Sequence, residues 1–269
     1  MTELYSNEWY VDLYFKYGSV DEAEKHCDTY LSTPSYHRLL NRLGIIKTIG
    51  RREVSLTEIF YFFAYKALEP SIGIETLYKQ MPMSFKTSLG TLHRIYERIV
   101  GNDQCRTATA VVFYDQNNNI LLGKETQNKP MYGKFEGNYS LPMTFCVANE
   151  DPKISVLRVI QQEVLSKNAG EGKLKVNSSL TNDLIPENLE SSLSLKILDI
   201  DLKVYYLPMN FDLKKAESAK LNDFILVSKD NIPALLRIGI NDILDIYWGK
   251  SDEVLQPIQS KLNLALLKL

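Results

Sequence analysis

Apolar positions recur at helical spacing through roughly the first hundred residues and at alternating spacing soon after. Leu4, Tyr5, Trp9, Val11, Leu13 and Tyr14 predict an aromatic-rich helix over residues 3–17, ended by Gly18. Ser19 followed by Glu22 is a capping-box arrangement that opens a short acidic helix, SVDEAEKHC. After a polar turn at 28–32, Thr33 as cap and Pro34 in the first turn open PSYHRLLNRLGIIK, which Gly44 stops before Ile45 and Ile46. SLTEIFYFFAYKALE (55–69) begins Ser-x-x-Glu, is apolar on most sides and predicts a core helix. A short helix over 72–81 and a turn at 82–84 precede a longer helix, 85–100, whose Leu89, Leu92, Ile95 and Ile99 share one buried face.

Gly101-Asn102-Asp103 breaks the helical pattern and marks an expected boundary, dividing the chain into 1–103 and 104–269. Alternation at Ala108, Ala110 and Val112, a polar turn at 115–119 and the run from Ile120 to Gly123 then predict a hairpin. A further strand leads through Leu141-Pro142 to a loop holding Glu150, Asp151 and Pro152. Asp151 before Pro152 reads as an N-cap with proline at the first helical position. The helix so opened carries an apolar stripe (Ile154, Val156, Leu157, Ile160, Val164), with Arg158, Gln161, Gln162 and Glu163 as its expected polar surface. KNAGEGK reads as a glycine loop without the ending of a P-loop, and 172–192 as a polar, variable loop. Beyond it, 194–209 is β-rich, 223–236 reads strand then helix, and a last helix is expected around 252–267.

At 269 residues, 45% hydrophobic and 24% charged, the chain has the composition of a globular protein with room for two cores. No apolar run reaches the length of a membrane span and the first residues lack signal-peptide order, so no membrane association and a cytoplasmic location are expected. Three scattered cysteines and three scattered histidines indicate neither a disulfide framework nor a zinc cluster. The net charge of −2 hides an asymmetry. Residues 1–35 hold two basic groups against seven acidic, and residues 36–100 hold ten basic against five acidic. A local basic excess of this kind is what nucleic-acid binding requires.

The short acidic helix and the following one, which ends Arg-Leu-Gly-Ile inside that basic segment, resemble a helix-turn-helix, with Ala23 on the first helix. In such a motif the N-terminal residues of the second helix meet base edges. The resemblance implies Ser35, Tyr36 and Arg38 at bases, and Arg42, Lys47, Arg51 and Arg52 at phosphates. The run beginning at Ser88 resembles the recognition helix of winged-helix regulators, implying a polar set of Ser88, Thr91, His93 and Arg94, with Lys79 and Lys86 near phosphates. A helical hairpin or protein-interaction module with solvated charges is the alternative for both.

The stretch from Leu141 to Leu165 resembles the signature loop and helix of the Nudix hydrolases. Leu141-Pro142 falls on the Leu-Pro of many members, Glu150 on a loop glutamate, Arg158 on the arginine and Glu163 on the last glutamate. Met143, Thr144 and Phe145 stand where glycines are usual, Val159 replaces the first helical glutamate and Gln162 the second. In that family the helical glutamates hold divalent cations that bridge a diphosphate, and hard cations bind poorly to one carboxylate. The resemblance therefore implies an α+β chain: an all-α helix-turn-helix region, in tandem if both motifs hold, followed by a Nudix-like α/β/α sandwich that has lost hydrolysis. It also implies a DNA-binding transcriptional regulator that senses a nucleotide-type ligand, ADP-ribose or an NAD-related metabolite, without a cofactor. DNA and that ligand are the partners, and a homodimer is the expected assembly. The ligand would meet Tyr132, Phe135, Glu150, Arg158 and Glu163. For Tyr132 and Phe135, packing of a hydrophobic loop on the core is an equal alternative. The competing function is a divergent, magnesium-dependent hydrolase of nucleoside-diphosphate-linked substrates, drawing a further carboxylate from Glu136, Asp199 or Asp201. A scaffold that binds only protein is the third.

Overall fold

Strand β1 (Arg106–Tyr114) is the axis on which the sheet is built. The computed structural model describes residues 5–48, 73–83, 87–101, 106–128, 134–197 and 199–249, with the backbone of 258–259. β1 pairs in parallel with β6 (Ile200–Pro208) over its whole length. Its other edge is shared. β4 (Met143–Cys146) runs antiparallel along residues 107–110, and β2 (Ile120–Glu125) takes over at Tyr114. β2 also pairs with β3 (Tyr139–Ser140) and β7 (Leu221–Val227), and β6 with β5 (Leu193–Ile197), all antiparallel. β8 (Ile258–Gln259) lies parallel to β5, giving a mixed sheet of eight strands among the described residues.

The expected hairpin between β1 and β2 is present. Asp115 Oδ1 accepts from the backbone N–H of Asn117 and of Asn119, each at 2.8 Å, and Asn118 takes a φ of 59°. Asparagine is among the few residues that adopt this left-handed conformation readily.

Alternation along β1 sends side chains into two cores. Ala108, Ala110 and Val112 join one with α4 (Ile74–Gln80), α5 (Leu89–Val100) and α9 (Ile240–Gly249). Val111 and Phe113 join the other, with α1 (Asn7–Tyr17), α2 (Val20–His26), α3 (Thr33–Leu43) and α6 (Pro152–Glu163). α7 (Ser166–Gly170) and α8 (Ser179–Leu184) complete that side. The described core thus crosses the expected boundary at 103/104. Helices before it contribute Leu77 and Leu92 to one cluster and Phe15 and Leu40 to the other. The first hundred residues hold no described core of their own, because apolar stripes on short helices find a larger partner in the sheet. No described helix is long and apolar enough to cross a membrane.

Helix α6 starts as its sequence predicts. Asp151 Oδ1 accepts from Lys153 N at 2.7 Å and Ile154 N at 3.4 Å, with Pro152 in the first turn. Its expected polar face is corrected by the structure, since every residue from Ser155 to Glu163 is buried. The polar side chains are enclosed because they find backbone and ionic partners in place of water. Gln161 Oε1 accepts from Ile46 N at 2.9 Å, and its Nε2 donates to Gly44 O at 2.9 Å and Leu174 O at 2.7 Å. Arg158 Nε donates to Lys47 O at 2.9 Å. These bonds stitch the segment after α3 onto α6.

Other expectations change in detail. α1 begins only at Asn7, with Ser6 as its cap. Ser19 caps α2 through Glu22 N at 3.1 Å as expected. Thr33 is the first residue of α3 and does not cap it; its hydroxyl donates to Glu24 Oε2 at 3.0 Å. α5 begins at Leu89, capped by Ser88, because that hydroxyl accepts from Thr91 N and sets the first turn there. KNAGEGK is largely α7, and the polar 172–192 stretch contains α8, capped by Ser178 and anchored by buried Thr181 and Leu184. After β7 the next described helix is α9, beyond the expected 223–236 segment. The core helix expected at 55–69 lies outside the described residues, as does most of 252–267, where Ile258 and Gln259 pair as a strand.

Candidate ligand-binding site

The end of α6 delivers Gln162 and Glu163 to a cavity of about 450 Å³. The lining divides by chemistry. Ala108, Met143, Phe145, Ile200 and Leu202 are apolar, whereas Lys134, Gln162, Glu163, Lys220 and Arg237 are polar or charged. The last turn of α1, its cap Gly18 and the α2 cap Ser19 add a wall from the N-terminal helices. Gln127 Nε2 donates to Lys16 O at 3.3 Å and ties that wall to the residues after β2.

The charged groups are interlocked. Lys220 Nζ donates to Gln162 Oε1 at 2.9 Å and Glu163 Oε1 at 3.0 Å. Glu125, buried at the end of β2, pairs with Lys134 Nζ at 3.1 Å and Arg237 Nη1 at 3.4 Å. Burial alone would raise the Glu163 carboxyl, but the Lys220 and Lys134 ammonium groups and the Lys220 hydrogen bond outweigh it, so Glu163 sits below its ordinary value. Burial pushes the Lys134 ammonium below its ordinary value, and nearby Arg237 adds to that; Glu163 and Glu125 oppose it. Gln162 Nε2 is buried without a hydrogen-bond partner.

A magnesium ion does not fit these residues. A hard divalent cation takes several anionic oxygens, and Glu163 already holds Lys220. Glu22, the other carboxylate in the lining, pairs with Lys25 at 2.8 Å. The further carboxylates considered for a hydrolase lie off the cavity. Glu136 is exposed, Asp199 pairs with Arg106 at 2.5 Å, and Asp201 accepts from Ser194 at 2.7 Å and pairs with Lys203 at 3.1 Å. Among the described residues no cluster of three His, Cys, Asp or Glu could hold a metal.

Of the expected ligand contacts, Glu163 lines the cavity; Phe135, Glu150 and Arg158 do not, and Tyr132 lies outside the described residues. Arg158 and Glu150 form a bidentate pair at 2.5 Å, with Arg158 only 3% exposed. Their charges are paired with each other, away from the cavity.

On α3, Arg38 and Arg42 are exposed and Ser35 is half-buried. Tyr36 cannot meet a base as expected. It is fully buried, its hydroxyl donates to Tyr10 O and its ring packs edge-on to Tyr10. The phenol points inward because the core offers it both an apolar bed and an acceptor. On α5, Ser88 is occupied as a cap, Arg94 is exposed and donates to Thr91 Oγ1 at 3.2 Å, and His93 faces Glu75 at 3.6 Å. Arg51, Arg52 and Lys86 lie outside the described residues.

Neither a protein-family model nor a curated protein matches the sequence. Among solved structures, the chain is similar to a Nudix hydrolase from Nitrosomonas europaea, at 16% identity over 58% of this chain and 77% of that one, with a TM-score of 0.39. It is also similar to a MutT protein from Methanosarcina mazei Go1, at 12% identity over 55% and 96% of the two chains, with a TM-score of 0.38. A third is the Nudix domain of Shewanella oneidensis NrtR complexed with ADP ribose, at 13% identity over 53% and 86%, with a TM-score of 0.35.

Lys134, Lys220, Arg237 and Glu125 carry no motif in the sequence. Lys134 lies beside Phe135 in the segment assigned to the ligand, but its charge gave no signal next to the aromatic residues. Lys220 and Arg237 come from separate loops that only the sheet brings together.

Proposed function

We propose that the chain is a non-hydrolysing, Nudix-like ligand sensor that binds a nucleotide-type molecule such as ADP-ribose or an NAD-related metabolite. The observation that carries this reading is the mixed chemistry of the cavity. An apolar surface from β1, β4 and β6 suits a base, and the cationic cluster at the end of α6 suits phosphates. The replacement of two helical glutamates by Val159 and Gln162, with the remaining Glu163 bound to Lys220, supports the loss of hydrolysis.

In the same reading DNA is the partner of the helical segment. Exposed Arg38 and Arg42, one turn apart on α3, support contact with phosphates or base edges, and a homodimer is the assembly proposed for DNA binding. Because the end of α1 lines the cavity, a ligand seated there touches the same helical layer that carries α3. Calorimetric titration of the full chain with ADP-ribose, followed by chromatography of the mixture, tests the sensor: binding with intact ligand is expected, and magnesium-dependent cleavage to phosphate products would refute it. Protection of DNA fragments with and without ADP-ribose tests the coupling, which identical patterns would overturn.

A further inference from the structure

Resting on that reading, we propose that Lys220 takes the place of a divalent metal and that the site grips a diphosphate directly. The grip consists of the ammonium groups of Lys134 and Lys220, the guanidinium of Arg237 and the amide of Gln162. Four observations support it.

The first is position. Lys220 Nζ sits between Gln162 Oε1 and Glu163 Oε1, at 2.9 and 3.0 Å, so a fixed positive charge already occupies the oxygens at the end of α6. A second cation there would meet repulsion from the Lys220 ammonium, which already neutralises Glu163.

The second is charge balance. Lys134, Lys220 and Arg237 are three cations against two carboxylates, Glu125 and Glu163. Side-chain exposures are 16%, 18% and 12% for the cations and 1% and 2% for the carboxylates. With Lys134 protonated the cluster holds three positive charges against two negative, with restricted access to water. In such surroundings an anion is attracted far more strongly than at an open surface.

The third is an unmet donor. Gln162 Nε2 is buried and bonded to nothing, while its Oε1 is fixed by Lys220. A buried amide N–H₂ without an acceptor costs stability; Gln162 lines the cavity, so a small shift of its side chain toward an entering phosphate oxygen would satisfy the donor.

The fourth is capacity. All four groups line one cavity of about 450 Å³, which also holds the apolar surface on which a base or sugar could rest. Burial, with Arg237 adding to it, depresses the affinity of Lys134 for a proton, and a phosphate beside the ammonium group would oppose both effects.

The test is calorimetric titration of the full chain with ADP, with inorganic pyrophosphate and with adenosine, each in excess EDTA and again in excess magnesium chloride. The expected result is that ADP and pyrophosphate bind equally well in both media and adenosine binds far more weakly. Lys220→Ala and Lys134→Met should each weaken ADP binding in EDTA by about ten-fold or more, as loss of a charge-assisted hydrogen bond predicts. Two variants guard against one that fails to fold, and the wild-type comparison needs neither. Binding of diphosphates only with magnesium would overturn the metal-free clamp while leaving the sensor reading intact. Folded lysine variants with undiminished affinity in EDTA would also overturn it. Absence of diphosphate binding in both media would sink the clamp and the nucleotide reading together.

Discussion

Substitution of Gln161 by leucine probes the seam between the N-terminal helices and α6. The side chain makes three hydrogen bonds to backbone groups: it accepts from Ile46 N and donates to Gly44 O and Leu174 O. Leucine fills much of the same volume and makes none of them. At a net worth of about 1 kcal/mol each, the lost bonds remove about 3 kcal/mol. Leu174 O sits in a buried setting, so its lost partner adds a desolvation penalty of about 1–2 kcal/mol. A loss of about 4–5 kcal/mol is therefore expected, a large share of what a folded domain ordinarily possesses. Urea unfolding of the full chain measures it as a lowered midpoint, and hydrogen exchange at the Ile46 amide reads the seam itself. Gln161→Glu sharpens the test. It keeps an acceptor for Ile46 but turns an acidic oxygen toward two carbonyls, so it should be worse than leucine at neutral pH and recover partly on acidification, when the carboxyl regains a donor. A loss below about 1 kcal/mol with unchanged exchange at Ile46 would refute the account, because even a single hydrogen bond of ordinary worth exceeds that after its partner is left bare.

The remaining predictions are shorter. Arg158→Ala leaves Glu150 and Lys47 O without their donor and should cost about 3–5 kcal/mol by chemical denaturation, the scale for breaking a buried ion pair from one side. Glu163 is held below its ordinary 4.5, so its stabilising contribution is complete above that value and disappears as pH falls through the lower folded value. Acid unfolding should show that slope, and Glu163→Gln should flatten it while lowering stability at neutral pH, where Lys220 would lose its counter-charge. Tyr36→Phe should lower stability by about 1–2 kcal/mol through loss of the bond to Tyr10 O; under the proposed DNA contact it should leave DNA affinity unchanged, whereas Arg38→Ala should reduce the salt dependence by about one phosphate contact. Gly170→Ala forces a Cβ to within 2.7 Å of Glu8 Cα and should separate α7 from α1, lowering the thermal midpoint at a cost of about 1–3 kcal/mol.

What could be read from the sequence was local. Asp151 and Pro152 adjoin the helix they start, Ser19 lies three residues from Glu22, and the β1–β2 turn is written in five contiguous positions, so each signal fits within a short window. The polar residues of α6 misled because periodicity separates apolar from polar but does not distinguish polar and exposed from polar and paired. Besides nearby Leu174 and Glu150, Gln161 and Arg158 bond to Gly44, Ile46 and Lys47, more than a hundred residues away in the chain. Tyr36 was misplaced for a similar reason, since a phenol reads as a surface group until a buried carbonyl such as Tyr10 O is in reach. Gln162 and Glu163 lie in a stretch with a legible helical pattern, but the cations facing them at the cavity are dispersed over three loops and share no spacing.

The wrapping of α6 bears on how such a chain could arise and be rearranged. A polypeptide starting at residue 104 would lose Tyr10, Val11, Phe15 and Leu40 from the cluster that holds Val156 and Ile160, and would strand Arg158 and Gln161 without Lys47, Gly44 and Ile46. The helical segment is thus not a detachable accessory that could be exchanged between proteins by joining genes at the apparent boundary. Its described helices share a core with the sheet, so substitutions along α6 are felt by residues from both sides of that boundary at once.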